Sequence, residues 1–231
     1  MAKKKKNNNY YSDSSMVDEA IRTLRTNISF SSTDKKLKSL VITSSNPSEG
    51  KSNIAIDLSR SMAQNGQKVI LIDCDLRNPS VGKYIGVEVG IGMTNLLVQD
   101  VNVKEVMIKD ETSENLDIIL TGPVPPNPSE LLGSHKMKRL LVELEQEYDM
   151  VILDSPPAGL LTDAQILSTI ADGTILVVAQ GESTREKIEA TIQNLRHVDA
   201  NILGFVFNKV KVKGSNGYGY GYGYGYKYGS S

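Results

Sequence analysis

The residues best suited to chemistry lie in one short stretch, Ser45 to Ser52, which reads Ser-Asn-Pro-Ser-Glu-Gly-Lys-Ser. Its spacing is that of the phosphate-binding motif G-x-x-x-x-G-K-[ST], with Ser45 in place of the first glycine. Gly50 lets the backbone approach an anion, which backbone N–H groups at the start of a helix then face. Lys51 can reach terminal phosphates, and the Ser52 hydroxyl can ligate Mg²⁺. We therefore expect nucleotide contacts at Ser45, Glu49, Gly50, Lys51 and Ser52.

Three aspartates that follow apolar runs form a second group with chemical potential. Val69-Ile70-Leu71-Ile72 leads into Asp73 and Asp75, and Val151-Ile152-Leu153 leads into Asp154. In open α/β sheets the ligand lies beyond the carboxyl ends of the strands, so these carboxylates should adjoin the phosphate loop. Phosphoryl transfer needs a cation, metal ligands and a base. The candidate catalytic residues are Lys51, Asp73, Asp75 and Asp154, and the candidate metal ligands are Ser52, Asp73 and Asp154.

Residues 211–231 hold an array of phenols. Tyrosine alternates with glycine there, except for Lys227, and the tyrosines are Tyr218, Tyr220, Tyr222, Tyr224, Tyr226 and Tyr228. Glycine makes such a segment costly to order, so we expect a flexible tail. Ten flexible residues span about 17 Å root-mean-square and about 33 Å when drawn out, enough to reach a subunit's own site or a neighbour's. A nucleotide site and a tyrosine array in one chain suggest an enzyme that phosphorylates its own tail.

The elements that must position these groups alternate between strand and helix. Strands are predicted at 39–43, 68–75, 116–120, 148–154, 174–179 and 202–208, and helices at 16–30, 53–64, 129–147, 162–171 and 183–197. This alternation predicts an α/β fold like that of P-loop NTPases, a doubly wound, mainly parallel sheet with helices on both faces. Residues 80–112 should form loops and short helices. Residues 16–210 would then form one nucleotide-binding domain, after a disordered basic tail at 1–15.

Composition narrows the class of protein. The 231 residues include a single cysteine, Cys74, so no internal disulfide can form, which fits a reducing cytoplasm. No run of 18 apolar residues and no signal-peptide core is present, so we expect neither a membrane span nor secretion. Eight of the 26 basic residues lie in 1–12 and 209–231, which leaves 18 basic against 27 acidic residues between them. So acidic a body does not favour nucleic acid binding.

As a set, these motifs resemble those of the bacterial tyrosine kinases of the capsular-polysaccharide type, the BY-kinases. The resemblance covers nearly all of residues 16–231. It rests on the phosphate loop, on the terminal tyrosines and on three further stretches: Glu19 to Asn27, Ile70 to Arg77, and Ile152 to Pro157. It implies ATP with Mg²⁺ as the donor and ADP as a product, Asp73 as the general base, Asp154 as a metal ligand and Asn208 as an adenine contact.

The resemblance also implies an assembly. Autophosphorylation of the tail would occur between subunits of a ring closed through the helix that carries Glu19, Arg22 and Arg25. A membrane adaptor would dock a cytoplasmic segment on this chain, activate it and hold it at the inner face of the cell membrane. The output would be control of capsule or exopolysaccharide synthesis or export.

Two other functions stay open at this point. The first is a nucleotide-switched positioning ATPase without a protein acceptor. Related cell-division-site and plasmid-partitioning ATPases carry a lysine at the start of the phosphate loop, and its absence here argues against this function. The second is a non-catalytic interaction module whose tail merely adheres to partners. Failure to bind ATP would favour the module, and release of free phosphate without labelling of the chain would favour the ATPase.

Overall fold

The computed structural model describes residues 9–31, 36–88 and 90–211, and the side chains from residue 15 onward. Its strands are β1 (Ser39–Ser44), β2 (Val69–Asp73), β3 (Met107–Asp110), β4 (Ser113–Ile119), β5 (Met150–Asp154), β6 (Gly173–Ala179) and β7 (Ile202–Asn208). Its helices are α1 (Asn9–Phe30), α2 (Lys51–Gln64), α3 (Val81–Ile85), α4 (Met93–Val98), α5 (Val103–Val106), α6 (Pro128–Leu132), α7 (His135–Glu147), α8 (Asp163–Ser168) and α9 (Arg185–Arg196). Strand and helix thus alternate along most of the chain.

The seven strands form one sheet in the order β3-β4-β2-β5-β1-β6-β7. Every pairing is parallel except that of β3 with β4. The inner strands β1, β2, β5 and β6 are buried along their whole length, as expected for parallel strands covered on both faces. The predicted doubly wound, mainly parallel sheet is confirmed, and β1 lies at its centre, between β5 and β6.

Two apolar layers cover the sheet. On one face, α1 and α2 pack through residues such as Ile21, Leu58 and Met62 against side chains of the central strands. On the other face, α4, α7 and α8 contribute residues such as Leu141 and Leu167 to a second core. Alternate residues of a strand point to opposite faces, so the continuous apolar runs of β1 and β2 supply both cores. The two cores therefore hold the strands in place, and with them the residues at the carboxyl ends of the strands.

The edge strand β3 was not predicted. Residues 80–112 do contain short helices and loops, as expected, but Met107–Asp110 pairs antiparallel with β4. The strand has only four residues, and three of them are partly or fully exposed, so it carries little hydrophobic periodicity. Asp110 holds the hairpin in place: its carboxylate accepts hydrogen bonds from Thr112, and Arg60 of α2 binds the same carboxylate at 2.7 Å.

Two predicted helix boundaries were wrong. Helix α1 begins at Asn9 rather than at Met16, so residues 9–15, assigned to the disordered tail, are helical, since neither glycine nor proline interrupts this segment. The helix predicted at 129–147 is two helices, α6 and α7, separated at Gly133. Ser134 caps α7 by accepting a hydrogen bond from the Met137 N–H at 3.2 Å, which starts a new helix.

Candidate active site

The phosphate loop joins the carboxyl end of β1 to the first turn of α2 and is closed by a contact from β7. Gly50 has φ = 93°, a conformation that favours glycine. A β-carbon at Gly50 would lie 2.0 Å from Nδ2 of Asn208, so a side chain does not fit there. That same Nδ2 donates a hydrogen bond of 2.9 Å to the carbonyl oxygen of Glu49. Asn208, which the family resemblance assigned to adenine, thus also braces the loop.

Glu49 lies inside the loop. Its side chain is fully buried, and one carboxylate oxygen accepts hydrogen bonds from the backbone N–H groups of Ser45 at 2.9 Å and Asn46 at 3.1 Å. The other oxygen accepts from the Ser183 hydroxyl at 2.5 Å. The carboxylate therefore ties the loop to the segment after β6, a positioning role that the sequence motif did not reveal.

Apart from Gly50, the loop residue with a left-handed backbone is Ser48, not Ser45. Among the described residues, Ser48, Asp199 and Lys209 are the non-glycine residues with positive φ, and Ser48 has φ = 62°. Serine in place of the first motif glycine is therefore compatible with the backbone at Ser45. The strain is at Ser48, because a β-carbon in the left-handed region is too close to the following carbonyl.

We expect Ser48→Gly to raise the free energy of unfolding by about 1 kcal/mol, because glycine escapes the cost of about 1–2 kcal/mol that the left-handed conformation imposes on L-residues. Urea unfolding of the two proteins would measure this. Ser48→Ala is the matched control: it keeps the β-carbon and should bring no gain. An equal gain in both variants would show that the serine hydroxyl, not the backbone, is the source.

Lys51 lies among buried carboxylates. Its side chain is 10% exposed, and its Nζ is 3.0 Å from Oδ2 of Asp75 and 4.0 Å from Oδ1 of Asp154. Burial lowers the pKa of Lys51, but Asp154 and Asp75 outweigh it, and the net pKa is raised. The lysine therefore stays protonated at neutral pH, as a phosphate-binding cation must.

Asp154 is a buried carboxylate with unused hydrogen-bonding capacity. It is fully buried at the end of β5, and neither of its oxygens accepts a hydrogen bond from the described residues. Burial raises its pKa to about 6, although the Lys51 cation and the Ser52 hydroxyl act in the opposite direction. The Lys51 ammonium, 4.0 Å away, faces this carboxylate without a hydrogen bond to it, which leaves its oxygens free to accept from the water shell of a cation. The site therefore fits a hydrated magnesium ion.

Asp73 is oriented by the segment that follows β2. One oxygen accepts hydrogen bonds from the N–H groups of Ser80 at 3.2 Å and Val81 at 3.1 Å, and the other from that of Asp75 at 3.2 Å. Burial and the neighbouring Asp154 raise its pKa to about 7. A carboxylate with a pKa near the working pH suits a general base, because a good fraction of it is ionised and it is basic enough to accept a proton.

Two features of the site were missed from the sequence. The Ser80 hydroxyl donates a hydrogen bond of 2.7 Å to that of Ser52. Arg77 binds the fully buried Asp163 at 2.8 and 3.1 Å, and the hydroxyl of Ser129 donates to Asp163 at 2.6 Å. This clasp ties the segment after Asp75 to α8 and α6. No short motif marks it, because its partners are 86 and 34 residues apart.

The described residues contain no group of three or more His, Cys, Asp or Glu side chains arranged to hold a metal ion. The ligands predicted from the sequence are one hydroxyl, of Ser52, and two carboxylates, of Asp73 and Asp154. Mg²⁺ usually takes only one or two carboxylates from a protein and completes its shell with water and substrate phosphates. The residues present therefore fit magnesium that arrives with a nucleotide.

The three predicted interface residues differ in their exposure. Glu19 and Arg22 are exposed and form an ion pair at 3.5 Å. Arg25 is half-buried and turns to α2, where it donates to the carbonyl oxygen of Ser61 at 2.7 Å. The six tail tyrosines lie outside the described residues. Every described helix is too short or too polar to cross a bilayer.

Comparisons with known proteins show which family this chain resembles. A family model described as an AAA domain matches residues 37–205. The chain is 41% identical over 198 residues to tyrosine-protein kinase YwqD of Bacillus subtilis, covering 86% of this chain and 83% of that protein. It is 36% identical over 196 residues to tyrosine-protein kinase CpsD of Streptococcus pneumoniae, covering 84% and 85%.

Solved structures point the same way. The kinase domain of the Escherichia coli tyrosine kinase ETK superposes with a TM-score of 0.82 at 33% identity, covering 89% of this chain and 80% of that one. The cell division protein MinD of Aquifex aeolicus, at 23% identity and a TM-score of 0.63, shares the fold. Together with the phosphate loop and its three carboxylates, these relationships show that the chain belongs to the bacterial tyrosine-protein kinases, the BY-kinases, and is a protein-tyrosine kinase.

Proposed function

We propose that the chain binds Mg²⁺–ATP on the phosphate loop and transfers the γ-phosphoryl group to tyrosines 218–228 of a neighbouring subunit. One observation carries this proposal: Lys51, Asp73, Asp75 and Asp154 converge at the carboxyl ends of β2 and β5 and the start of α2, and the oxygens of Asp154 accept no hydrogen bond from the described residues. A structural ion pair alone does not account for that carboxylate, because a buried charge without hydrogen bonds is destabilising.

Each residue then has a separable task. Backbone N–H groups at the start of α2 and the Lys51 ammonium bind the phosphates. Ser52 and Asp154 would hold magnesium, which supplies positive charge against the phosphate oxygens. Asn208 would contact adenine, since it lies beside Gly50 at the edge of the loop. Asp75 and the Glu49 carboxylate keep Lys51 and the loop in place.

The transfer itself forms one bond and breaks one. The phenol oxygen bonds to the γ-phosphorus while the bond from that phosphorus to the β–γ bridging oxygen breaks, which leaves ADP. The phenolic proton passes to the Asp73 carboxylate. A phenol has a pKa of about 10 and Asp73 one of about 7, so the proton moves as the new bond forms rather than before it.

Transfer between subunits is tested by mixing two chains, each lacking one function. One carries Lys51→Met with an intact tail, and the other has an active site but phenylalanine in place of the six tail tyrosines. With labelled ATP and Mg²⁺, we expect label on the tail of the Lys51→Met chain in the mixture and none on that chain alone. Mass spectrometry of tail peptides would locate the phosphates.

Other outcomes would contradict particular parts of the proposal. If the wild-type chain is labelled but the Lys51→Met chain in the mixture is not, transfer occurs within one chain. If free phosphate is released and no chain is labelled, the alternative of a nucleotide-switched ATPase without a protein acceptor is favoured. Failure of the wild-type chain to bind ATP would exclude both the kinase and the ATPase and would favour the non-catalytic interaction module.

We further propose that the kinase works as a ring closed through α1 and is recruited to the inner face of the cell membrane by an adaptor protein. Exposed Glu19 and Arg22 support the first part, since their charges are accessible to a neighbour. Arg25 is hydrogen-bonded to Ser61, so it would support the ring by holding α1 against α2 rather than by contacting a neighbouring subunit with a free charge.

A Klebsiella pneumoniae relative is described as a putative tyrosine-protein kinase in a cps region, which supports a role in capsule or exopolysaccharide synthesis or export.

A further inference from the structure

An apolar groove lies between α9 and the edge strand β7, outside the catalytic cluster. It has a volume of ≈ 610 Å³, within the range of natural ligand sites, and its lining includes Val178, Gln180, Arg185, Ile188, Phe207 and Val210. Strand β7 has β6 on one side and no described strand on the other. The catalytic residues of the phosphate loop do not line this groove.

The outer side of the groove exposes large apolar side chains. Phe207 is 70% exposed and Val210 is 56% exposed, and Phe205, two residues earlier on the same face of β7, is 46% exposed. Exposed apolar side chains grouped in this way, unlike scattered ones, indicate a surface that something covers. The question is which occupant the structure favours.

The root of the C-terminal tail lies on the rim of this groove. Lys209 has φ = 56°, and its Nζ binds the Glu182 carboxylate at 2.8 and 2.9 Å. The backbone N–H of Lys211 donates to Oε1 of Gln180 at 2.8 Å. These two contacts fix the chain on both sides of Val210, whose side chain lines the groove. The remaining 20 residues, 212–231, therefore start at the groove itself.

We propose that the unphosphorylated tyrosine segment 218–228 of the same chain docks in this groove. Tyr218 follows Lys211 by seven positions, a reach of about 23 Å when extended, whereas the groove wall from Arg185 to Glu189 is about 6 Å long. The tail can thus fold back over it. Phenol rings pack well against an exposed phenylalanine such as Phe207.

Phosphorylation reverses this preference. Each phosphate adds a charge of about −1.5 to −2, which an apolar groove cannot solvate. Two cations at the groove are already engaged: Arg185 is paired with Glu189 at 2.7 Å, and Lys209 with Glu182. Glu186 adds a further negative charge on the first turn of α9. The groove therefore distinguishes the tail before phosphorylation from the tail after it.

Thiol labelling tests the docking. The native cysteine, Cys74, is buried, so an introduced cysteine reports alone. Val210→Cys places the probe in the groove, and Val142→Cys on α7, 54% exposed against 56% for Val210, is its matched control. A short tether gives an effective concentration of the order of 1 mM, so an intrinsic Kd of about 0.1 mM would slow labelling about tenfold. We expect this slowing at Val210→Cys, relative to the same probe with the six tail tyrosines changed to serine, and no difference at Val142→Cys.

Two additions make the test specific. Phe207→Ser in the Val210→Cys chain should restore fast labelling, and so should phosphorylation of the tail by an added, unrelated tyrosine kinase. The second arm does not depend on the chain's own activity, so it separates this inference from the proposed function. Equal labelling with and without the tail tyrosines would overturn the inference. So would slow labelling that persists without the tyrosines and strengthens with protein concentration, since a second copy would then cover the groove.

Discussion

Lys51→Met is expected to lower the rate of tyrosine phosphorylation by about 10³-fold or more, because it removes a positive charge that meets the transferring phosphoryl group. The same change should lower stability. It leaves Asp75 and Asp154 buried without their cation, and breaking a buried ion pair costs about 3–5 kcal/mol. Initial rates with labelled ATP and urea unfolding at pH 8 would measure the two effects.

A double variant separates charge from structure. Lys51→Met with Asp75→Asn removes one of the two stranded charges, so we expect it to recover part of the lost stability and none of the activity. Appreciable phosphorylation in either variant would show that Lys51 is not needed for transfer. If the double variant were no more stable than the single one, the ion pair at 3.0 Å would not be the source of the loss.

Asp154→Asn should abolish activity and yet stabilise the protein at pH 8. Burial raises the pKa of Asp154 from 3.8 to about 6, so its favourable contribution is complete below pH 3.8 and is lost as the pH rises through 6. At pH 8 the carboxylate is charged and has no hydrogen bond from the described residues. Removing that charge should raise the free energy of unfolding by about 2 kcal/mol at pH 8 and by much less at pH 4.

Asp163 offers the matched control, because it too is a fully buried aspartate. Its carboxylate is satisfied by Arg77 and Ser129, so Asp163→Asn should destabilise the protein at pH 8. Urea unfolding of both variants at pH 8 and pH 4, beside activity measurements, decides the matter. A loss of stability at pH 8 in both would mean that Asp154 is structurally satisfied and not held ready for a cation.

The sequence was sufficient for the centre of the sheet but not for its edge. Strands β1, β2 and β5 are apolar on both faces. Continuous apolar runs of this kind are typical of strands buried in a parallel sheet, so the sequence alone predicted where these strands end and where the carboxylates beyond them lie. Strand β3 is mostly exposed and depends on pairing with β4 and on the bond from Arg60 to Asp110. Contacts between distant residues of this kind leave no local pattern.

The same division runs through the site. Lys51, Ser52 and the three aspartates follow from the positions of strand ends and from a known spacing. The inward turn of Glu49 and the bond from Asn208 to the loop depend on segments more than 130 residues away. The positive φ of Ser48 also escaped notice, because serine rarely adopts it and nothing nearby signals it.

The hydrogen bond from Asn208 to the carbonyl oxygen of Glu49 joins the phosphate loop directly to the end of β7, from which the chain leads to the C-terminal tyrosines. Lys211, the last residue that the structure describes, follows three positions later and is held by Gln180, so the proposed nucleotide site and Lys211 lie at a fixed distance from each other. If the tyrosines are the acceptors, as we propose, residues inserted after Lys211 would change which tyrosine is phosphorylated first and leave the affinity for ATP unchanged. An insertion before Asn208 would alter both the order of phosphorylation and the affinity for ATP.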